Sequence, residues 1–151
     1  MLVTQKNRYA LRAIFELAKR LNEGPVKIAE IAEAQAIPPR FLEVILNQLK
    51  KAGFVAAKRG FTGGYTLLRQ PENITVGELF RSLDESHENL VCATCISKNV
   101  CPFHNECAFL PMWNQVQNAI HDVFDNTTIE DLIENEKMMK EVSEKSEKSK
   151  N

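Results

Sequence analysis

Apolar residues in the first third of the chain recur at helical spacing. In TQKNRYALRAIFELAKRL, residues 4–21, Leu11, Ile14, Phe15, Ala18 and Leu21 share one side, the pattern of an amphipathic helix. NEGP marks a loop, and KIAEIAEA (27–34) resumes a short helical pattern with Ile28, Ile31 and Ala32 together. QAIP breaks it. A third helix is predicted from Pro39, whose missing N–H would have no partner in a first turn. That segment, PRFLEVILNQLKKAG, places Leu42, Ile45, Leu46 and Leu49 on an apolar face and ends at Gly53, a residue suited to a left-handed cap. FVAAKRG and YTLLR are then short β-prone runs on either side of the glycine-rich FTGG, which predicts a hairpin.

Beyond the hairpin, ITVGELFRSLDE (74–85) predicts a helix, with Thr75 and Glu78 spaced as a capping box. Residues 108–125 predict a longer one, striped by Leu110, Trp113, Val116, Ile120, Val123 and Phe124. Thr127 and Glu130 are placed to cap a further short helix holding Ile129, Leu132 and Ile133. The end, KEVSEKSEKSKN, is polar and of low complexity, and its composition predicts a disordered tail over 136–151. No stretch approaches the ~18 apolar residues of a membrane span. The charged N-terminus lacks the apolar core of a signal peptide, so a cytoplasmic protein with no membrane partner is expected.

Charge changes the picture. The net charge is only −1, but residues 1–70 carry 12 Lys and Arg against 5 Asp and Glu, a net +7, which leaves −8 for residues 71–151. A basic half can meet a polyanion. Helix, short helix, break, helix and glycine-tipped hairpin, all within a basic segment, is the order of a winged helix-turn-helix. The expected fold is therefore mainly α, with a two-stranded wing. On the third helix Arg40, Glu43, Asn47 and Lys50 form a polar stripe away from the leucines. Arginine reads guanine, asparagine reads adenine, and a carboxylate accepts from the cytosine amino group. Lys50 and Lys51, at the helix end, suit phosphate. In the hairpin, Lys58, Arg59 and Thr62 precede glycines that let backbone approach a sugar-phosphate wall, and Arg59 suits a narrow minor groove. A solvated helix face and an ordinary charged turn are the competing explanations. No catalytic set is visible: His87 and His121 stand alone, and His104 lies among cysteines. An enzyme is not expected.

All four cysteines fall within CATCISKNVCPFHNEC, residues 92–107. In a reducing compartment a disulfide framework is disfavoured. Soft thiolates suit iron–sulfur clusters and zinc. Cys92-x2-Cys95 is a common zinc half-site, and such a pair can also cycle as a metal-free disulfide.

The chain resembles the Rrf-two family of bacterial winged helix-turn-helix transcription regulators, the IscR/NsrR-like iron–sulfur regulators. The resemblance rests on KNRYALRA, on FLEVILNQLKKAGFVAAKRGFTGGYTL, on ITVGELFRSLDES, and on the C-x5-C-x5-C spacing of Cys95, Cys101 and Cys107. It implies a DNA-binding domain over 1–85 (helix-turn-helix about 28–51, wing about 54–69) and a cluster-binding cysteine loop over 86–107. A long dimerisation helix and a short following helix would then occupy 108–135. It also implies a homodimer on a palindromic double-stranded operator and a 2Fe–2S cluster on those three cysteines. Such a protein would be a repressor whose DNA binding follows nitric oxide, redox state or iron–sulfur supply. The fourth ligand departs from the family pattern, since Leu110 stands where a histidine is found and Arg8 where an acidic residue is found. Cys92 and His104 are the foremost candidates, with Glu106, Gln5 or Asn7 of a partner's first helix, water or a small thiol behind them. The alternative is the same DNA-binding fold with a structural zinc or metal-free redox thiols, regulated by a partner protein.

Overall fold

The hydroxyl of Thr4, on extended backbone, accepts from the Asn7 backbone N–H at 3.2 Å and so opens α1 (Gln5–Lys19). The computed structural model describes residues 3–83 and 106–148. Helix α2 (Ile28–Gln35) begins with the Lys27 N–H donating to the Glu30 carboxylate at 3.2 Å. It ends at Ala36, in the left-handed region at φ 48°, where the Ile37 N–H returns to the Ala32 carbonyl. Helix α3 (Pro39–Lys51) has its proline in the first turn, as the spacing predicted. Gly53, at φ 79°, takes the left-handed turn that aims the chain into the hairpin, and the Phe54 N–H closes back on the Leu49 carbonyl.

The hairpin is antiparallel: β1 (Val55–Lys58) pairs with β2 (Gly64–Leu67) in the register Val55↔Leu67 to Lys58↔Gly64. Val26 and Tyr65 exchange backbone hydrogen bonds of 2.9 and 2.8 Å, so the loop before α2 joins the hairpin as a third, one-residue strand. A short 3-10 turn, Pro71–Asn73, leads to α4 (Val76–Leu83); α5 (Leu110–Asp125) and α6 (Ile129–Lys148) complete the chain. The architecture is mainly helical with a two-stranded wing.

One core unites these elements. Ile14 and Leu17 of α1, Ile31 of α2, Leu42, Leu46 and Leu49 of α3, Leu79 and Phe80 of α4, and Ile129 of α6 are all essentially inaccessible. Each large side chain removed from water contributes roughly 1.5–3 kcal/mol. Buried among them, Glu16 accepts from Arg20 and from the Gln35 side chain, both at 2.7 Å, and this cross-link sets α1 against the end of α2. Its carboxylate keeps charge-assisted partners on both oxygens, the condition for burying a charge.

Three expectations need correction. The capping box at Thr75 forms by half: its hydroxyl accepts the Glu78 N–H at 3.2 Å, but the Glu78 carboxylate turns to Arg69, 2.5 Å away, instead of back to the helix start. The cap of α6 lies one residue later than the spacing placed it. Thr128 and Asp131 bond each other reciprocally, in place of Thr127 and Glu130. And α6 is no short helix with a disordered tail, because it continues unbroken through 140–148. Composition was misleading there, since Glu–Lys pairs four residues apart support a solvated helix without a core. Glu136–Lys140, at 3.1 Å, is one such pair.

Helix α5 differs from the others in that none of its residues is buried. Of the predicted stripe, Leu110, Val116 and Val123 are exposed, and Trp113, Ile120 and Phe124 are half-buried. No helix among the described residues is long and apolar enough to cross a membrane.

Candidate nucleic-acid interface

The apolar face of α3 is consumed by the core, and this decides which residues are left outside. Arg40, Glu43, Asn47, Lys50 and Lys51 are all exposed. With about 3.6 residues per turn, the line directly opposite Leu42, Ile45, Leu46 and Leu49 runs through Arg40, Val44, Asn47 and Lys51. Glu43 and Lys50 lie to one side of that line and Phe41 to the other. Val44 is 58% exposed and Phe41 63% exposed. The polar stripe chosen from sequence therefore ran off-centre and missed Val44. The period of the leucines already contained that information, but a valine on a helix reads first as a core residue.

Steric fit fixes the wing. A Cβ on Gly64 would lie 2.5 Å from the Val26 carbonyl oxygen, and one on Gly63 only 2.3 Å from the Lys58 carbonyl oxygen. Both contacts are with backbone, which cannot swing aside, so Gly63 lets the turn close on Lys58 and Gly64 lets the hairpin close on Val26. This docking holds Lys58 at the end of β1, with Arg59 and Thr62 on the exposed turn after it. At its tip the Phe61 ring is 94% exposed, with the Lys27 ammonium 5.4 Å from its centroid. Cations from the start of α2, from α3 and from the hairpin thus stand on exposed surface, as binding a phosphate backbone requires.

Residues 3–135 match the Rrf2 family, described as iron-dependent transcriptional regulators. The chain belongs to the Rrf2 family. Among curated Rrf2 relatives, it is 33% identical over 139 residues to the HTH-type transcriptional regulator IscR of Pectobacterium atrosepticum, spanning 92% of this chain and 83% of that one. The IscR of Erwinia tasmaniensis is 34% identical, with 92% and 82% covered. Among solved structures, IscR of T. potens superposes with a TM-score of 0.72 at 32% identity, covering 89% of this chain and 88% of that one. CymR, the global cysteine regulator of B. subtilis, gives 0.70 at 30% identity, with 87% and 95% covered. Like its Rrf2 relatives, the protein is a transcriptional regulator and not an enzyme.

Of the cysteine segment, only its end is described. Cys92, Cys95, Cys101 and His104 lie outside the described residues. Cys107 is a free, half-buried thiol at the entrance to α5, where its carbonyl accepts the Leu110 N–H at 3.2 Å. An accessible soft sulfur there fits an iron–sulfur ligand. Leu110 has no donor to add. On α1, Arg8 and Gln5 are exposed, whereas Asn7 is inaccessible and its side chain is engaged by the Thr4 hydroxyl. Of these two first-helix candidates, Gln5 is therefore the accessible one.

Proposed function

We propose that this Rrf2 regulator is a cytoplasmic homodimeric repressor whose operator binding is controlled by a 2Fe–2S cluster on Cys95, Cys101 and Cys107, with Cys92 or His104 as foremost candidates for the fourth ligand. When bound, the cluster supplies a centre that reacts to nitric oxide, redox poise or iron–sulfur supply. The observation that carries this reading is the position of Cys107. It sits three residues before α5 begins, and the far end of α5 is fastened to α4 in the DNA-binding head. There Arg81 and Asp125 pair at 2.6 Å, and Gly77 leaves room for that carboxylate. How Cys107 is held thus bears on a helix that is anchored to the head at its other end.

Dimerisation is supported by the open face of α5. Phe109, just before the helix, and Leu110, Met112, Val116 and Val123 on it stay exposed in the single chain, apolar side chains that association would remove from water. A second copy of α5 would cover it and set the spacing of two α3 helices, which must meet half-sites about one duplex turn apart. On α3 and the wing, Arg40, Glu43 and Asn47 are assigned to base edges, Lys50, Lys51, Lys58 and Thr62 to the backbone, and Arg59 to the minor groove.

Anaerobic purification tests the cluster. Red-brown protein with iron and sulfide supports it, and alanine at Cys95, Cys101 or Cys107 should each remove the colour. Colour retained in Cys92→Ala would exclude Cys92 as an essential ligand. The second reading keeps the fold with a structural zinc or redox thiols and regulation by a partner protein; the Cys92-x2-Cys95 spacing favours it. Colourless protein with one zinc per chain, or with none, would decide for it.

A further inference from the structure

The line of α3 opposite its buried leucines carries an apolar residue at its middle, and neither the core nor the charge pattern accounts for it. Val44 stands between Arg40, one turn before, and Asn47, nearly one turn after, with Lys51 completing the line. Phe41, three residues earlier, flanks it and leans on Tyr9 of α1, ring centroids 6.5 Å apart and tilted. A lone exposed valine is ordinary on a protein surface. Here, however, two exposed apolar side chains adjoin each other on a helix that carries Arg40, Lys50 and Lys51 and leads into a hairpin exposing Lys58 and Arg59, the cation content of a surface that meets DNA. A valine is too short to reach phosphate and has no hydrogen bond to offer. In a major groove the one apolar group on a base edge is the C5-methyl of thymine.

We propose that Val44, flanked by Phe41, is a thymine reader: its methyl groups pack on the C5-methyl of one thymine in each operator half-site, beside the base pairs met by Arg40 and Asn47. Each half-site then combines the polar contacts of Arg40, Glu43 and Asn47 with one methyl contact, and cytosine is rejected at the Val44 position because it lacks the methyl. The inference rests on α3 being the groove-reading helix.

The test uses the full-length, anaerobically purified protein. Its operator is selected from random-sequence duplexes, and each half-site thymine is then replaced singly by deoxyuridine, which removes the methyl and nothing else. Binding is followed by fluorescence anisotropy. One thymine per half-site should show a loss of about fourfold, the equivalent of one buried methyl group. Val44→Ala should bind the thymine operator more weakly and become indifferent to uracil at that one position. Val44→Thr, which keeps one methyl, should retain part of the discrimination. Because Val44 is exposed, these variants should melt like the parent. Uracil tolerated at every thymine, or a uracil penalty that persists undiminished in Val44→Ala, would overturn the proposal. Failure of the selection to yield any preferred sequence would instead overturn the groove-reading role of α3 as well.

Discussion

The ring of Phe80 on α4 meets that of Phe124 on α5 edge-on, with centroids 5.2 Å apart and planes at 79°. This pair fastens α5 to α4. Beside it the Val76 N–H donates to the Thr127 carbonyl and the Ile129 N–H to the Ile74 carbonyl, each at 2.9 Å. Phe80 is buried and Phe124 half-buried. Phe124→Ala should therefore cost about 2 kcal/mol, less than the ~3–5 kcal/mol of a fully buried phenylalanine because Phe124 is only half-buried. Urea denaturation of the purified protein measures this, and a change below a few tenths of a kcal/mol would mean that α5 is not held there.

Gly64→Ala should be among the most damaging single changes in the wing. The new methyl would collide with the Val26 backbone, and relieving the clash means giving up the two Val26–Tyr65 hydrogen bonds. A loss of about 2–3 kcal/mol is expected. Operator affinity should fall by more than the lost stability explains, since the displaced hairpin carries Lys58 and Arg59. Parent-like melting together with parent-like binding would contradict the close approach.

Arg59→Ala should weaken operator binding and also reduce sequence preference, as removing a minor-groove arginine does. Lys51→Ala should weaken binding to all sequences alike and lower the slope of log affinity against log salt by roughly one counterion. Titrations at several salt concentrations separate the two. An unchanged affinity in Arg59→Ala would remove the wing from DNA recognition.

Acid should loosen the start of α6. Hydrogen bonds from the Thr128 hydroxyl and backbone N–H hold the Asp131 carboxyl below its ordinary value. The Lys19 ammonium, 3.0 Å away, does the same for Glu136, assisted by Lys140. Both folded-state values are depressed. The stability they contribute is thus complete above the ordinary carboxylate range of about 4 and is lost as pH falls through the lower folded values. Asp131→Asn and Glu136→Gln should remove part of this acid sensitivity, as read by helicity between neutral pH and about pH 3. Identical acid profiles for the parent and both variants would refute it.

Sequence alone determined the elements whose amphipathic period is strong. The leucines of 42–49, Pro39 at the first turn of α3 and Gly53 after its last turn specify a buried-face helix with defined ends, because helix period and cap chemistry are local properties. The glycine-tipped hairpin and the winged helix-turn-helix order were legible for the same reason. The reason for Gly63 and Gly64 was not. Local pattern offered only a flexible tip, whereas Gly63 is required by the close approach of the Lys58 backbone within the turn and Gly64 by the Val26 backbone, some forty residues earlier. Tertiary structure likewise decided that Val44 faces outward, opposite the buried leucines of α3, that Asn7 is committed to Thr4, and that Arg69 draws Glu78 away from its cap. Each of these turns on which partner arrives from elsewhere in the chain. Burial and hydrogen-bond competition are settled between distant segments, so the chain's local periodicities could specify its helices but not their neighbours.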